Sequence, residues 1–418
     1  MRLLALVTVS SMFFPLFASA TPAVLQPNAV LANPLAMTVT QTLASPKDDR
    51  SKRATISLIP ERRQTFLFEK DSDLKFTYRV QKDATAPLVF IVPGTGGVAE
   101  SAGALFLAEQ LYDLGYQTVT VDDGFSWRFA LSASKTGLPG FTPADSQDLY
   151  KALRAVNSKL QTEKKIQPRS YSLVGYSLGA LQAVFMHRLD QTEKAFNFER
   201  VLMIDPPMDL MQAVNSLDNL YNIGNTLSDN RKLFVFNRVI DVGGKYLSAH
   251  ADFTDPNLLQ QAFGELGFDS KDLAYLIGGS FRDSLRDVIF ASQQIHDLKI
   301  LKMPVTRYHR NARYDEARQF SFKQYMSQFL YPQVKKQKGS GYSIDKMNKE
   351  SSFYQFGEYV QTHKNLFIVH TADDFILKSG DIDWIRSKFG DRAVIFPFGG
   401  HCGAMNFPAF AEYLKSVF

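Results

Sequence analysis

One serine in this chain stands in a setting suited to nucleophilic attack. Gly175-Tyr176-Ser177-Leu178-Gly179 follows the apolar run Ser172-Leu173-Val174 and opens a helical pattern over Leu178–Leu189. In a G-x-S-x-G arrangement the serine occupies a sharp strand-to-helix turn, so the positions two before and two after it must be small. The helix N-terminus behind it favours negative charge developing on a substrate oxygen. A serine hydroxyl also needs a base. Of the seven histidines, only His401, in Phe398-Gly399-Gly400-His401-Cys402-Gly403, falls at a predicted strand end, in a Gly-rich turn before a final helix. A base of this kind needs a carboxylate to hold its tautomer and stabilise its protonated form. Asp373 and Asp374 follow the apolar run Leu366–Val369 and supply two candidates. Ser177, an aspartate and His401 together spell acyl transfer through a covalent acyl-enzyme, with no metal and no organic cofactor required.

A fourth part lies upstream. Val92-Pro93-Gly94-Thr95-Gly96-Gly97 directly follows the run Leu88–Val92. Glycines there let backbone approach a substrate closely. The N–H of Thr95 or Gly96, paired with that of Leu178, is the expected oxyanion hole. A phosphate loop is disfavoured because no G-K-[ST] follows. Asp374 is preferred over Asp373 as the acid, because its distance from Thr371 matches a G-x-x-D spacing with threonine in the glycine's place. Asp205, after the run Val201–Ile204, is the fallback. His187, on the helix after the serine, reads as structural or surface. His250, His296, His309 and His363 show no ligand spacing, and His370, which ends a strand near the acid, reads as a packing residue, with support of the acid as its alternative role.

The elements that must position these groups follow an alternating pattern. Continuous apolar runs such as Leu88–Val92 suit strands buried on both faces. Gln117–Val121 is another β-rich run, and Val201–Ile204, Leu366–Val369 and Ala393–Phe396 repeat the buried type. Helical patterns over 101–114, 144–162 and 178–189 lie between them, which predicts an α/β fold with a mainly parallel sheet covered on both faces. Ala54–Ile59, Thr65–Glu69 and the alternating Leu74–Val80 read as further strands at one side. Residues 208–363 break the alternation. They are mostly helical in pattern, with breaks expected at Gly243-Gly244, Gly278-Gly279 and Gly339-Ser340-Gly341, and read as a cap inserted above the C-terminal edge of the sheet. Its amphipathic stretches, Leu258, Phe263 and Leu266 or Phe320, Tyr325 and Phe329, are expected to face Ser177.

The N-terminus has Arg2, an apolar stretch Leu3–Phe17 and Ala18-Ser19-Ala20, the pattern of a cleavable signal peptide over residues 1–20. The apolar stretch is short of the ~20 residues that a bilayer span needs. Residues 21–53, with four prolines and a charged run from Lys47, read as a flexible leader. The hydrolytic core is then 54–207 with 364–418. Export without a disulfide, since Cys402 is the single cysteine, points to a bacterial periplasm or secretion. The net charge is +5, falling to +4 without residues 1–20, and no basic stripe with interleaved aromatics appears. Nucleic acid is therefore not an expected partner. A small-molecule or lipid ester is, together with peripheral contact with the membrane or cell envelope.

The four parts resemble the α/β-hydrolase superfamily over residues 54–207 and 364–418, about half the chain. The nearest resemblance is to esterases and phospholipases with G-Y-S-L-G, P-x-D-L, D-D and G-G-H motifs, here Gly175–Gly179, Pro207-Met208-Asp209-Leu210, Asp373-Asp374 and Gly399–His401. That branch opens its oxyanion loop with His-Gly, where this chain has Pro93-Gly94. The resemblance implies an exported serine hydrolase of carboxylic esters, lipase-like in its use of an apolar acyl group. A peptidase or amidase, an acyltransferase, and a non-catalytic envelope-binding protein are the alternatives.

Overall fold

The computed structural model describes residues 32–40, 46, 50–64, 73–248, 255–306 and 309–418. The predicted signal segment and the predicted strand Thr65–Glu69 lie outside them. Eight strands form one sheet: β1 (Lys52–Ile56), β2 (Leu74–Arg79), β3 (Leu88–Val92), β4 (Gln117–Val121), β5 (Tyr171–Tyr176), β6 (Arg200–Ile204), β7 (Leu366–Thr371) and β8 (Ala393–Phe396). Their order is β1-β2-β4-β3-β5-β6-β7-β8. Pairing is antiparallel for β1–β2 and β2–β4, and parallel from β4 onward. With helices on both faces, this is the α/β-hydrolase fold.

The strand pattern explains the two-sided sheet. In β3, Leu88, Phe90 and Val92 point into one core cluster, and Val89 and Ile91 into the other. Side chains alternate across a strand, so a run that is apolar at every position must be covered twice. The helices α1 (Pro34–Thr40) and α2 (Ala102–Asp113) cover one face, with the final helix Pro408–Val417. After α3 (Trp127–Ser132), α4 (Thr142–Lys164) and α5 (Leu178–Glu193) cover the other.

The chain runs outward from β3 to β4 and then returns to β5. Ligands gather at the carboxyl ends of strands where the order reverses in this way. The register pairs Val92 with Gly175, Ile204 with Val369, and Thr371 with Phe396. The loops that follow β3, β5, β6, β7 and β8 therefore open on one edge.

Three sequence expectations change here. The leader reading does not describe Pro34–Thr40, which is a buried helix. Its apolar residues Ala36, Met37 and Val39 have a core to enter. Gly243-Gly244 and Gly278-Gly279 are not breaks either. They lie inside α7 (Asp229–Ser248) and α9 (Ser270–Ile295), which follow α6 (Leu210–Gly224) and enclose α8 (Pro256–Leu266). Gly278 is there for close packing, since a Cβ on it would lie 2.3 Å from the backbone nitrogen of Tyr221 in α6. Finally, 208–363 divides in two. Residues of α6–α9, with Ala36 and Val39 of α1, share a separate apolar cluster. Farther on, Phe322, Tyr325, Phe329, Phe353 and Phe356 enter the main core instead.

Candidate active site

Ser177 lies between β5 and α5 with φ 55° and ψ −126°, a positive-φ conformation that a residue with a side chain rarely adopts. Its neighbours permit this turn. A Cβ on Gly175 would lie 2.3 Å from the Gly179 carbonyl oxygen, and a Cβ on Gly179 would lie 2.3 Å from the carbonyl oxygens of Val92 and Pro93. The Ser177 N–H donates to the Ile204 carbonyl at 2.8 Å and ties the turn to β6.

His401 lies in the loop after β8. Its Nε2 is 2.8 Å from Ser177 Oγ, and its Nδ1 is 2.8 Å from Asp374 Oδ2. Asp374 Oδ1 accepts from the Ile376 N–H at 3.0 Å, which fixes the carboxylate's second oxygen. All three residues are buried. Burial pulls the His401 pKa down, but the Asp374 carboxylate and its hydrogen bond outweigh this and hold it above the ordinary histidine value. Burial pushes the Asp374 carboxyl up, and the adjacent His401 charge and hydrogen bond bring it below the usual carboxylate value.

The other two acids do different work. Asp373 accepts from the backbone N–H groups of Gly399, at 3.3 Å, and Gly400, at 2.8 Å. Asp205 accepts from Thr371 N–H and Cys402 N–H, both at 3.0 Å. The His401 ring takes its carboxylate bond from Asp374 rather than from either of these. His370 takes the alternative role beside the acids rather than that of packing alone. Its Nδ1 lies 3.0 Å from Asp205 Oδ1 and 3.8 Å from Asp374 Oδ2, and its Nε2 lies 3.2 Å from the Pro206 carbonyl oxygen. Both ring nitrogens face oxygen atoms, and the Thr371 N–H also points at Nδ1, at 3.1 Å. Burial opposes a charge on the ring, yet Asp205, with Asp374 behind it, pushes the pKa up to about 9. Asp205, His370 and Asp374 are also the one cluster of metal-ligating types among the described residues. Asp205 is already engaged by the Thr371 and Cys402 N–H groups, Asp374 by the His401 ring, and His370 Nδ1 by the Thr371 N–H at 3.1 Å. His187 is structural: its Nδ1 meets Tyr359 Oη at 2.7 Å, and burial drops its pKa to about 4.

The loop after β3 corrects one expected oxyanion donor. The Gly96 N–H is directed to the Phe125 carbonyl at 3.2 Å and to Asp123 Oδ2 at 3.3 Å. The Thr95 and Leu178 N–H groups have no acceptor among the described residues, and both residues line a small cavity of about 40 Å³ beside Ser177 and His401. Sequence reading missed what fixes this loop. Asp122 accepts from the Ala99 N–H at 2.7 Å, and Asp123 accepts from the Phe125 N–H at 2.9 Å. The signal was the acid pair closing the β4 run, in Val121-Asp122-Asp123-Gly124.

A larger cavity of about 500 Å³ opens on Ser177 and His401. Its walls include Val239, Val242 and Tyr246 of α7, Ala262 and Leu266 of α8, Leu276 and Phe281 of α9, and Thr38 and Val39 of α1. Of the six cap residues singled out in the sequence, Leu266 reaches this cavity. Tyr325 and Phe329 are buried in the main core, where Tyr325 Oη donates to the Pro139 carbonyl at 2.5 Å.

No protein-family model matches this chain, and no curated protein matches it. Solved structures align with it distantly. A thioesterase domain from the curacin biosynthetic pathway is 11% identical over 88% of this chain and 99% of its own, with a TM-score of 0.38. A proline iminopeptidase-related protein from Thermus thermophilus is 15% identical over 88% and 97%, also at 0.38. An esterase from the hyperthermophilic archaeon Pyrobaculum calidifontis is 14% identical over 91% and 87%, at 0.40.

Proposed function

We propose that this chain is a serine hydrolase that cleaves carboxylic esters with an apolar acyl group. The observation that carries the reading is the line Asp374–His401–Ser177, two contacts of 2.8 Å, ending at the mouth of a 500 Å³ cavity walled largely by apolar side chains. That volume is in the range of small-molecule sites.

Ser177 Oγ attacks the ester carbonyl carbon while His401 Nε2 takes its proton. Asp374 holds the Nδ1–H and stabilises the imidazolium formed. The carbonyl oxygen becomes an oxyanion, and the N–H groups of Thr95 and Leu178 stand ready to donate to it. The tetrahedral intermediate collapses, the C–O bond breaks, and His401 returns the proton to the leaving alkoxide. Water, activated by the same ring, then attacks the acyl-Ser177 carbonyl and releases the acid.

Export to a periplasm or medium belongs to the same proposal and rests on residues 1–20. No helix among the described residues is long and apolar enough to cross a membrane.

The test is labelling of the purified chain with a fluorophosphonate, followed by turnover of p-nitrophenyl esters and aminoacyl anilides. Labelling at Ser177 with ester turnover is the expected result. Faster turnover of anilides than esters would turn the reading to a peptidase, and no labelling would sink the enzyme reading.

A further inference from the structure

His401 must meet Ser177 and Asp374 at once, yet its backbone lies in no regular element. Gly399, Gly400 and Cys402 around it have φ of 144°, 57° and 65°. The loop is held instead by three side chains, which accept from four successive backbone N–H groups. Asp373 accepts from Gly399 and Gly400, and Asp205 accepts from Cys402. The acceptor for the His401 N–H is Thr38 Oγ1, at 2.8 Å, from the helix α1, 363 residues away in sequence. That hydroxyl in turn donates to the Pro34 carbonyl at 2.8 Å.

The contact is built on both sides. A Cβ on Gly400 would lie 2.0 Å from the Pro34 carbonyl oxygen, and one on Gly403 would lie 2.3 Å from that of Met37. Asn406 Nδ2 donates to the Thr40 carbonyl at 3.1 Å, and Met37 is fully buried. The same short helix places Thr38 and Val39 in the wall of the large cavity.

We propose that α1 is a working part of the site, in which Thr38 is a positioning residue for His401 and Val39 limits the length of the acyl group. This rests on the serine-hydrolase reading. Replacing the Thr38 hydroxyl with a methyl group keeps the side chain's volume and leaves the buried His401 N–H without an acceptor. The loop then relaxes, and the ring loses its aim at Ser177 Oγ. Misplacement of this kind acts on the chemical step.

The experiment compares wild type, Thr38→Val and Thr38→Ser by fluorophosphonate labelling rate and by ester kinetics. Thr38→Val is expected to label and turn over about 10–100-fold more slowly, with the loss in kcat rather than KM. Thr38→Ser keeps the acceptor and is expected to restore most of the rate. Labelling of folded Thr38→Val at the wild-type rate overturns the positioning role. Failure of wild type itself to label would instead overturn the hydrolase reading. Should Thr38→Val not fold, Val39→Phe decides. Its preference among p-nitrophenyl butyrate, octanoate and palmitate is expected to move to the shorter ester, and an unchanged profile overturns the proposal.

Discussion

Asp373 and Asp374, adjacent in sequence, hold one loop by two different parts. Asp374 Oδ2 meets the His401 ring at Nδ1, 2.8 Å away, while Asp373 Oδ1 accepts from the Gly400 backbone N–H, also at 2.8 Å. One carboxylate acts on the base and the other on the chain that carries it.

The two asparagine variants therefore separate. Asp374→Asn puts an amide against Nδ1, favours the wrong tautomer and removes the charge that stabilises the imidazolium. A fall in kcat of about 10³–10⁴-fold is expected, with the fold intact by circular dichroism. Asp373→Asn retains one acceptor oxygen for the loop and is expected to lose about 10-fold or less. Steady-state kinetics on both variants checks this. A collapse confined to Asp373→Asn would exchange the two roles.

Ser177 holds a backbone conformation that suits glycine better than any other residue. Ser177→Ala and Ser177→Gly both remove the nucleophile, and each should lose at least about 10³-fold in kcat. They differ only in the Cβ. Ser177→Gly is therefore expected to be more stable than Ser177→Ala by about 1 kcal/mol, read as the difference in urea midpoint multiplied by the slope. Equal midpoints would mean that the turn stores no strain.

Much of this site was legible because its residues sit at fixed places relative to strand ends. Ser177, His401 and the acid pair after β7 could be read from apolar runs, glycines and chain order. The choice of Asp374 over Asp373 rested on spacing, and the separation of their roles appears only in three dimensions. The loop after β3 was found, yet the Gly96 N–H turned out to be held by Asp123 and Phe125, partners on a different loop that no local pattern announces. Pro34–Thr40 departs from the leader pattern of its sequence for a related reason. Seven residues just after a proline-rich stretch carry too little periodicity to reveal a helix, and its partners at Gly400 and Asn406 are hundreds of residues away.

The pH dependence of catalysis follows from His401. It must be neutral to accept the Ser177 proton. Its pKa is held above the ordinary value of 6.5 by Asp374, against the opposing effect of burial. Activity is then lost as pH falls through that raised pKa, so the acid limb of kcat/KM is expected above pH 6.5. Asp374→Asn should move what limb remains to lower pH. A limb below the ordinary histidine value in wild type would show that Asp374 does not stabilise the imidazolium.

His370 gives a separate dependence, in stability. Its folded pKa of about 9 exceeds the unfolded value of 6.5, because Asp205 and Asp374 outweigh the cost of burying the charge. A raised folded pKa means that the folded state holds the proton more tightly. The resulting stabilisation is fully present below about pH 6.5 and is lost as pH rises through about 9. The difference between those values corresponds to about 3 kcal/mol. The charged and titratable groups that act on this ring are Asp205 after β6, Asp374 after β7, and His401 in the loop after β8. Other groups titrate in the same window, so the measurement is a comparison. Urea midpoints of wild type and His370→Gln, taken from about pH 6 to 10, should lie far apart at the acid end and converge toward the alkaline end. A gap that stays constant over that range would mean that His370 is neutral in the folded chain, and that Asp205 and Asp374 face each other without a cation between them.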